Sequence, residues 1–508
     1  MTRNRLWVAR ALGLAALGTA LVSCGEAADR DDDDATNGMT SIMSITVTAS
    51  DTGATDSMTG NDEDTGEKLD ASVNPTASGC GNADLGCTDQ IDLLFVIDNS
   101  GTMGEEQINL AANFPLLIEK LENLQDSEGM PVNPDVQILV TTTDFGNPLC
   151  TAFQPPGYEP AKGEPTVTGC NDRIDDFTGL GSNPVMKPEA CTNLCPVDVV
   201  PADPFIAFSP AGDNIADDVM PVDLNADGSL ESPVAQALSC IGPQGINGCG
   251  YEAPLETMLQ ALNPNADWND PGNKPFLREG AILAIAVVTD EVECSVKDYS
   301  IMDDTNYQET NPANGDQQAS SAICWNAGVS CNGPDAMGVY SDCTSLDDGK
   351  LQPLSRYTDY LVTELRENNG KEVIMLGILG VPLVTAYNMD PPYQPIAGGE
   401  LDLVYRDWID GPYPTGDILP TETTADAASK QFDFGIGPGC TGTDAMGNFT
   451  GQATPNTRVM EVCHALDYED TGGEEQIRCC ITSICDDDFS DAINCLTGII
   501  EDTIQPPG

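Results

Sequence analysis

Four apolar runs between residues 93 and 379 predict the strands of a central sheet. The runs are LLFVI (93–97), QILV (137–140), AILAIAVV (281–288) and EVIMLGIL (372–379). Short apolar runs without polar alternation are typical of parallel strands that are covered on both faces.

Segments with apolar residues at steps of three and four lie between or after these runs and predict amphipathic helices. Glu105 and Glu106 precede the first segment, where acidic side chains suit a helix N-terminus. The four apolar stripes are Leu110, Phe114, Leu117, Leu121 and Leu124; Leu255, Met258, Leu259 and Leu262; Leu354, Tyr357, Leu361 and Leu365; and Phe489, Ile493, Leu496 and Ile500. This alternation predicts an α/β fold with a Rossmann-like, doubly wound, mostly parallel sheet.

Three long insertions interrupt these elements, at about 146–250, 295–351 and 381–457, and each is rich in Gly, Pro, Asn and Asp. Each insertion leaves the C-terminal end of a predicted strand, which is the edge where open α/β sheets bind ligands. We therefore expect one domain over residues 80–505, with the insertions crowded at that edge and held by disulfides.

The N-terminus predicts export. Arg3, Arg5 and Arg10 precede the apolar run LGLAALGTALV, which is typical of a secretory signal. The run leads into LVSC, which resembles the lipobox of bacterial lipoproteins. That resemblance implies a signal peptide over residues 1–23, cleavage before Cys24 and a lipid anchor on its sulfur. Because Gly25 follows, and not an aspartate, it also implies the outer membrane.

Residues 24–79 are acidic and rich in Asp, Thr, Ser and Gly, with few large apolar side chains. Such a segment cannot bury enough apolar surface to fold, which predicts a disordered tether. The tether would hold the folded domain away from the membrane surface.

The charge of the chain narrows its partners. It has 82 acidic and 20 basic residues and a formal net charge of -62. A polyanion is repelled by nucleic acids and by anionic lipid surfaces, so we expect neither as a partner. Divalent cations are the better expectation, although most of these carboxylates serve to solvate the surface.

The cysteines agree with export. Without Cys24, 18 of the 19 remain, and an even number in an exported chain predicts a disulfide framework of unknown connectivity. Zinc is the competing interpretation, but the chain has a single histidine, His464, and no paired CxxC motifs. We expect Cys191 and Cys195, and likewise Cys479 and Cys480, to pair with distant cysteines.

Three predicted strands lead into aspartates, in FVID at Asp98, TTTD at Asp144 and VVTD at Asp290. Neighbouring parallel strands would place these carboxylates at one edge, where they repel one another unless a divalent cation lies between them. Ser100 and Thr102 add hydroxyls at alternate positions. The set predicts a magnesium-like site.

These residues carry a resemblance. The string LLFVIDNSGTM, with its DxSxS-like pattern, and the later VVTDE are similar to a von Willebrand factor type A domain and its metal-ion-dependent adhesion site. The resemblance implies that Ser100 and Thr102 coordinate the ion directly, while Asp98 and Asp290 act largely through bound waters. Asp144 would support the site from outside the ligand set.

One departure bears on the ion. The family takes a threonine from the loop before the next helix, where this chain has GCGYEAPLETML, with Glu252 or Ala253 at that place. An inward Glu252 would favour calcium or manganese over magnesium, or would fill the open coordination position.

A second loop, DLNADGSLE, offers Asp223, Asn225, Asp227 and Glu231 with the spacing of the start of an EF-hand. Its twelfth position is Val234 where a bidentate glutamate is needed. A tight Asx and Gly turn explains the same letters, and calcium remains the alternative.

Three functions follow from these features. The first is adhesion, in which the ion accepts a carboxylate from an acidic residue of a protein partner. The second is a structural envelope lipoprotein with a structural or empty metal site. The third is a metal-dependent hydrolase, since clustered carboxylates with a divalent ion can activate water. The chain shows no GxSxG, and we expect His464 to be packed in a helix, so we do not expect an enzyme.

Overall fold

The computed structural model describes residues 89–179, 185–225, 228–270, 272, 274–414, 416, 418, 427–443, 449–470 and 472–504. The expectations for the signal peptide, the lipid anchor on Cys24 and the tether lie outside the described residues, and so does Asp227.

A seven-stranded, mostly parallel sheet forms the centre of the fold. Its strands in chain order are β1 (Gln90–Ile97), β2 (Asp135–Thr142), β3 (Ile206–Ser209), β4 (Gly212–Asp213), β5 (Ile282–Val288), β6 (Val373–Leu379) and β7 (Cys479–Ser483). The spatial order is β7-β6-β5-β1-β2-β3-β4, in which β3 pairs antiparallel with both β2 and β4, and the other five strands are parallel to one another. The mixed α/β fold with a mostly parallel sheet, and the four predicted strands, are thereby confirmed.

Helices cover both faces of the sheet. They are α1 (Gly104–Glu122), α2 (Glu189–Thr192), α3 (Pro233–Ile241), α4 (Pro254–Ala261), α5 (Ala322–Gly328), α6 (Ser355–Thr358), α7 (Ala427–Phe434), α8 (Thr457–His464) and α9 (Ser490–Thr503), with a π-helical segment (Asp359–Asn368) that continues α6. Short 3-10 helices lie at Pro148–Ala152, Ile174–Phe177, Asp267–Asn269, Tyr299–Asp303 and Gly399–Asp402.

The period-two pattern of β1 divides the core into two layers. Leu93 and Phe95 pack with α1, α3 and α9 on one face. Leu94 and Val96 pack with α4, the π-helical segment and α8 on the other. Because both faces of the central strands are covered, the middle of β1, β2, β5 and β6 is almost entirely apolar.

The insertions contain more regular structure than their composition predicts. The first supplies β3, β4 and α3, and α3 begins with Pro233 after Ser232, whose hydroxyl accepts from Ala235 N at 3.3 Å. Antiparallel hairpins pair Glu309–Thr310 with Gln317–Gln318, Val329–Asn332 with Ser341–Ser345, Val384–Tyr387 with Pro395–Gly398, Cys440–Thr443 with Phe449–Ala453, and Tyr468–Glu469 with Glu475–Gln476.

Eight disulfides join the sixteen cysteines of the described residues. The pairs are Cys150–Cys249, Cys170–Cys191, Cys195–Cys240, Cys294–Cys324, Cys331–Cys343, Cys440–Cys485, Cys463–Cys479 and Cys480–Cys495. The prediction that neighbouring cysteines pair with distant ones is confirmed. A framework of this density indicates a chain that folds in an oxidising compartment.

Charge is balanced at the N-terminal edge of the parallel strands. Asp92, fully buried on β1, accepts from Arg278 Nε at 2.7 Å, from Arg278 N at 2.8 Å and from Lys371 Nζ at 3.3 Å. Lys371 Nζ also donates to Ala281 O at 2.8 Å. Asp92 thus pairs with both cations, and Arg278 also pairs with Asp135 Oδ1 at 2.9 Å. Among the described residues, no helix is both long enough and apolar enough to cross a membrane.

We expect Asp92→Ala to lower the free energy of unfolding by about 3–5 kcal/mol, because it leaves the buried Lys371 ammonium without its carboxylate partner. Urea unfolding with the disulfides intact measures the change. Asp348→Ala, at an exposed loop position, is the control and should change stability by less than about 0.5 kcal/mol. Equal losses in the two variants would show that the network contributes nothing.

Candidate metal centre

The C-terminal edge of the parallel strands holds the three predicted aspartates. Asp98 follows β1, Asp144 lies two residues beyond β2, and Asp290 lies two residues beyond β5, and all three are buried. The backbone N–H of Asp98 donates to Val288 O at 2.9 Å, which extends the pairing of β1 with β5 to the site. The predicted placement at a single edge of the sheet is therefore found.

Residues 98–102, here called the metal loop, turn tightly around the carboxylate of Asp98. Ser100 N donates to Asp98 Oδ1 at 2.7 Å, and Thr289 Oγ1 donates to Asp98 Oδ2 at 2.6 Å. The hydroxyls of Ser100 and Thr102 lie 3.3 Å apart. Ser100 is buried and Thr102 is exposed, so the loop reaches from the core to the surface.

Asp290 is the least satisfied of the three aspartates. Its Oδ1 is buried and has no hydrogen-bond partner among the described residues. Burial, and then the charge of Asp98, raises the pKa of Asp290 to about 8, and the Thr102 hydroxyl opposes the rise. Burial likewise raises the pKa of Asp98 to about 6. A carboxylate in this state requires either a proton or a cation.

Glu252 points into the protein, which is the orientation that the sequence analysis considered for it. It is fully buried, Thr143 Oγ1 donates to its Oε2, and its Oε1 has no hydrogen-bond partner in the described part of the chain. Burial, then the charges of Asp98 and Glu291, raises the pKa of Glu252 well above its usual value. Ala253 continues the loop with its N–H donating to Thr143 O at 3.0 Å.

Asp144 holds the first insertion. Burial raises its pKa, and hydrogen bonds act in the opposite direction. Its donors are Gly146 N at 2.7 Å, Gln154 Nε2 at 2.8 Å, Tyr158 OH at 3.0 Å and Cys249 N at 3.2 Å. Tyr158 OH in turn accepts from Asn99 Nδ2 at 2.9 Å, which connects Asp144 to the metal loop. Its role as a supporting residue outside the ligand set stays a prediction.

Two further buried carboxylates belong to the cluster. Glu106, in the first turn of α1, has a buried Oε2 with no partner among the described residues, and Glu291 follows Asp290 directly. Burial raises the pKa of both well above the usual value, and the charge of Asp290 is the next cause for each. Sequence reasoning assigned Glu106 only to the helix terminus. Its position eight residues after Asp98, at the start of a helix that leaves the strand edge, was the available signal.

All three insertions contact this edge. Tyr158 comes from the first, and Ser321 of the second donates to Gly250 O at 2.5 Å. From the third, Thr454 N donates to Asp290 O at 2.8 Å. Asn456, directly before α8, donates from Nδ2 to Glu291 O at 2.8 Å while its Oδ1 accepts from Val459 N at 3.2 Å.

The oxygens present fit a small hard cation that is bound through hydroxyls and water. At Mg²⁺ distances, neighbouring ligands lie about 3 Å apart, which the Ser100 and Thr102 hydroxyls approach. Within the described residues, the groups of three or more Cys, His, Asp or Glu ligand atoms within 4.8 Å are two cysteine-rich sets, whose cysteines are in disulfides: Cys170, Cys191 and Cys195; and Cys195, Asp198 and Cys240. The acids at the strand edge therefore do not converge as a purely carboxylate site.

The predicted calcium loop forms an exposed turn. Gly228 N donates to Asp223 Oδ2 at 3.1 Å, and Leu224 N donates to the buried Glu231 at 2.7 Å. Asn225 is exposed. The two bonds span five and seven residues, whereas an Asx turn joins a side chain to the backbone two residues on, so they do not decide between the turn and calcium binding, which stays a prediction.

His464 is exposed and lies at the C-terminal end of α8, so the expectation that it is packed is wrong. Its Nε2 lies 2.7 Å from Glu400 Oε2 and its Nδ1 3.5 Å from Asp467 Oδ2. Hydrogen bonding to Asp467 and then to Glu400 raises the pKa of His464 to about 10. A histidine that stays protonated through neutral pH serves here as a surface ion-pair partner.

Comparison with known proteins gives no match to a family model, to a curated protein or to a solved structure.

In chelator, we expect the free energy of unfolding to fall as pH rises from about 4 to about 8. The folded pKa values of Asp98 (about 6) and Asp290 (about 8) lie above the ordinary 3.8, so the folded state binds more protons in this window. Each extra proton contributes a slope of about 1.4 kcal/mol per pH unit. Chemical unfolding at a series of pH values measures the slope.

Asp290→Asn should make this profile less steep between about pH 6 and pH 8, because it removes a carboxyl group whose folded pKa is about 8. Asp348→Asn, at an exposed position, is the matched control and should keep the parental profile. A parent whose stability does not fall with pH in chelator would contradict the raised pKa values.

Proposed function

We propose that this chain is a lipid-anchored bacterial envelope protein with a von Willebrand factor type A fold, which binds a protein partner through a divalent-metal adhesion site. The fold assignment is supported by the mostly parallel sheet with helices on both faces and by a DxSxS-like loop at the C-terminal end of a central strand. Export is supported by the eight disulfides. The lipid anchor and the outer-membrane location rest on the LVSC sequence and on Gly25.

The proposed metal site is supported mainly by one observation, the position of two hydroxyl groups of the metal loop beside an unsatisfied carboxylate. Two hydroxyls lie 3.3 Å apart, next to the buried Asp290 Oδ1, which has no hydrogen-bond partner in the described part of the chain. In the proposed site, Ser100 and Thr102 bind the ion directly. Asp98 stays hydrogen-bonded to Ser100 N and Thr289, which holds the loop in position, and both Asp98 and Asp290 act largely through water.

When bound, the ion supplies a positive charge that accepts a carboxylate oxygen from an acidic residue of the partner. Thr102 is exposed, so its side of the ion faces solvent. Hydroxyl and water ligands add no negative charge of their own, which leaves the ion attractive to an incoming anion. The partner's flanking residues would meet the insertions that surround the mouth of the site.

Glu252 decides between magnesium and a larger ion. A deprotonated Glu252 that joined the ligand set would favour Ca²⁺ or Mn²⁺. If it also filled the last position, the site would be structural, which is the second function we consider. We propose that the chain is not an enzyme. A metal-dependent hydrolase of the two-metal kind needs ions about 4 Å apart.

We expect Mg²⁺, Mn²⁺ or Ca²⁺ to raise the melting temperature of the full chain above that in chelator. An ion at about 100 times its dissociation constant stabilises the native state by about 2.7 kcal/mol. Asp98→Ala and Thr102→Val should lose this shift because they remove the support and a ligand. Thr344→Val, which also replaces an exposed threonine, should retain it. If none of the three ions stabilises the unmodified chain, the adhesion mechanism is wrong.

We further expect acetate to reduce the water-proton relaxation enhancement of the Mn²⁺-loaded chain, because a carboxylate displaces a water from an open coordination position. Perchlorate at equal ionic strength is the control. A relaxation enhancement that acetate leaves unchanged would favour the structural function. Metal analysis after gel filtration should give one ion at this centre, whereas two would favour the hydrolase.

A further inference from the structure

The side chain of Gln107 joins the metal loop to the first insertion. Gln107 lies in the first turns of α1 and is buried. Its Nε2 donates to Asp98 O at 2.8 Å and to Gly245 O at 2.7 Å. Its Oε1 accepts from Gln244 N at 2.7 Å and from Gly245 N at 3.0 Å. One amide group thereby hydrogen-bonds to the backbone of the metal loop and to that of the first insertion. It does so as both donor and acceptor, and only a side chain that has both groups can make this set of bonds.

A second contact holds the same two segments together. Gly248 N donates to Asn99 O at 2.7 Å. A Cβ at position 248 would lie 2.2 Å from Asn99 Oδ1, so glycine permits the approach. Gly245 has a φ of +88°, a conformation that glycine adopts without strain. The sequence of residues 243–249, here called the bracing loop, is therefore suited to a close fit against the metal loop.

The bracing loop leads directly to Glu252. At its end, Cys249 N donates to Asp144 Oδ2 at 3.2 Å, and Cys249 forms a disulfide with Cys150. In its middle, Ile246 N donates to Asp176 O at 2.7 Å. Hydrogen bonds thus connect the metal loop through Gln107 to the bracing loop, which ends three residues before Glu252.

We propose that Gln107 is a positioning residue that sets the ion preference of the metal centre by fixing the separation between the metal loop and Glu252. The inference rests on the proposed function, since it concerns the same site. Mg²⁺ requires near-ideal octahedral geometry at 2.0–2.1 Å, whereas Ca²⁺ accepts six to eight oxygens at 2.3–2.6 Å in a flexible arrangement. A site with fixed walls therefore discriminates against the larger ion, and a loosened site does not.

The test compares ion affinities in the full chain. Gln107→Met keeps the approximate shape of the side chain and removes all four hydrogen bonds. We expect the Mg²⁺ dissociation constant to rise about tenfold, equivalent to about 1.4 kcal/mol, while the Ca²⁺ constant changes much less. Isothermal titration with each metal alone gives the two constants, and their ratio is the readout that a loss of general stability does not move.

Gln236→Met is the matched control. Gln236 is also buried, and its Nε2 donates to Met220 O at 2.9 Å and Glu231 O at 3.1 Å, away from the metal loop. It should lose comparable stability in chelator and keep the parental ratio of constants. If Gln107→Met does not fold, Gln107→Glu retains the acceptor oxygen and loses the donated bonds. Its added charge acts on both divalent ions alike, so the ratio still reports the geometry.

The outcomes separate this inference from the function on which it rests. If the parent binds neither ion, the proposed function and this inference both fail. If the parent binds Mg²⁺ and the Gln107 variant keeps the parental ratio of constants, only this inference fails. A ratio shifted towards Ca²⁺ in the Gln107 variant, and unshifted in Gln236→Met, supports it.

Discussion

The repulsion among buried carboxylates at one edge of the sheet is the constraint on which the site depends. Asp98, Asp290 and Glu252 are fully or nearly fully buried, and after burial itself the charge of Asp98 is the next cause that raises the pKa of the other two. Such groups stay ionised only with a compensating cation, and otherwise take up protons. An ion that binds here would therefore gain free energy from carboxylates that the fold has already buried close together.

The opposite edge of the same sheet shows that this arrangement is not a general consequence of an acidic composition. Asp92 is as deeply buried as Asp98, but two cations, Arg278 and Lys371, hydrogen-bond to it. At the C-terminal edge, Lys430 on α7 opposes the rise in the pKa of Asp290, but less than burial and Asp98 promote it. The buried carboxylate at the N-terminal edge of the strands is thus paired with cations of the same chain, whereas those at the C-terminal edge are much less compensated. The proposed metal site would account for that difference.

The strands and helices that position the site could be predicted because their signals are local. β1, β2, β5 and β6 each contain a run of consecutive apolar residues, and α1 and α9 carry apolar stripes at helical spacing. β7 was not predicted, since its sequence CCITS has too few apolar residues for the pattern and depends on its neighbours and two disulfides. β3 and β4 were missed for a similar reason, because β3 depends on its pairing with β2, and β4 on its pairing with β3, more than on their own composition.

The candidate site divides in the same way. Strand ends placed Asp98, Asp144 and Asp290 at one edge, because a parallel sheet aligns its carboxyl ends. Glu106 and Glu291 were not predicted as members of the cluster, because their positions depend on how a helix and a loop pack against that edge.

Gln107 is the strongest case of such a residue. Nothing in its sequence context marks it, yet its side chain contacts backbone 138 positions away. The local sequence pattern therefore predicted where the candidate ligands lie. The residues that fix their geometry could not be predicted in this way, because they depend on contacts between distant segments. A site whose ligands are mostly hydroxyls and water gains its specificity from those contacts, because the ligands alone would accept any small hard cation.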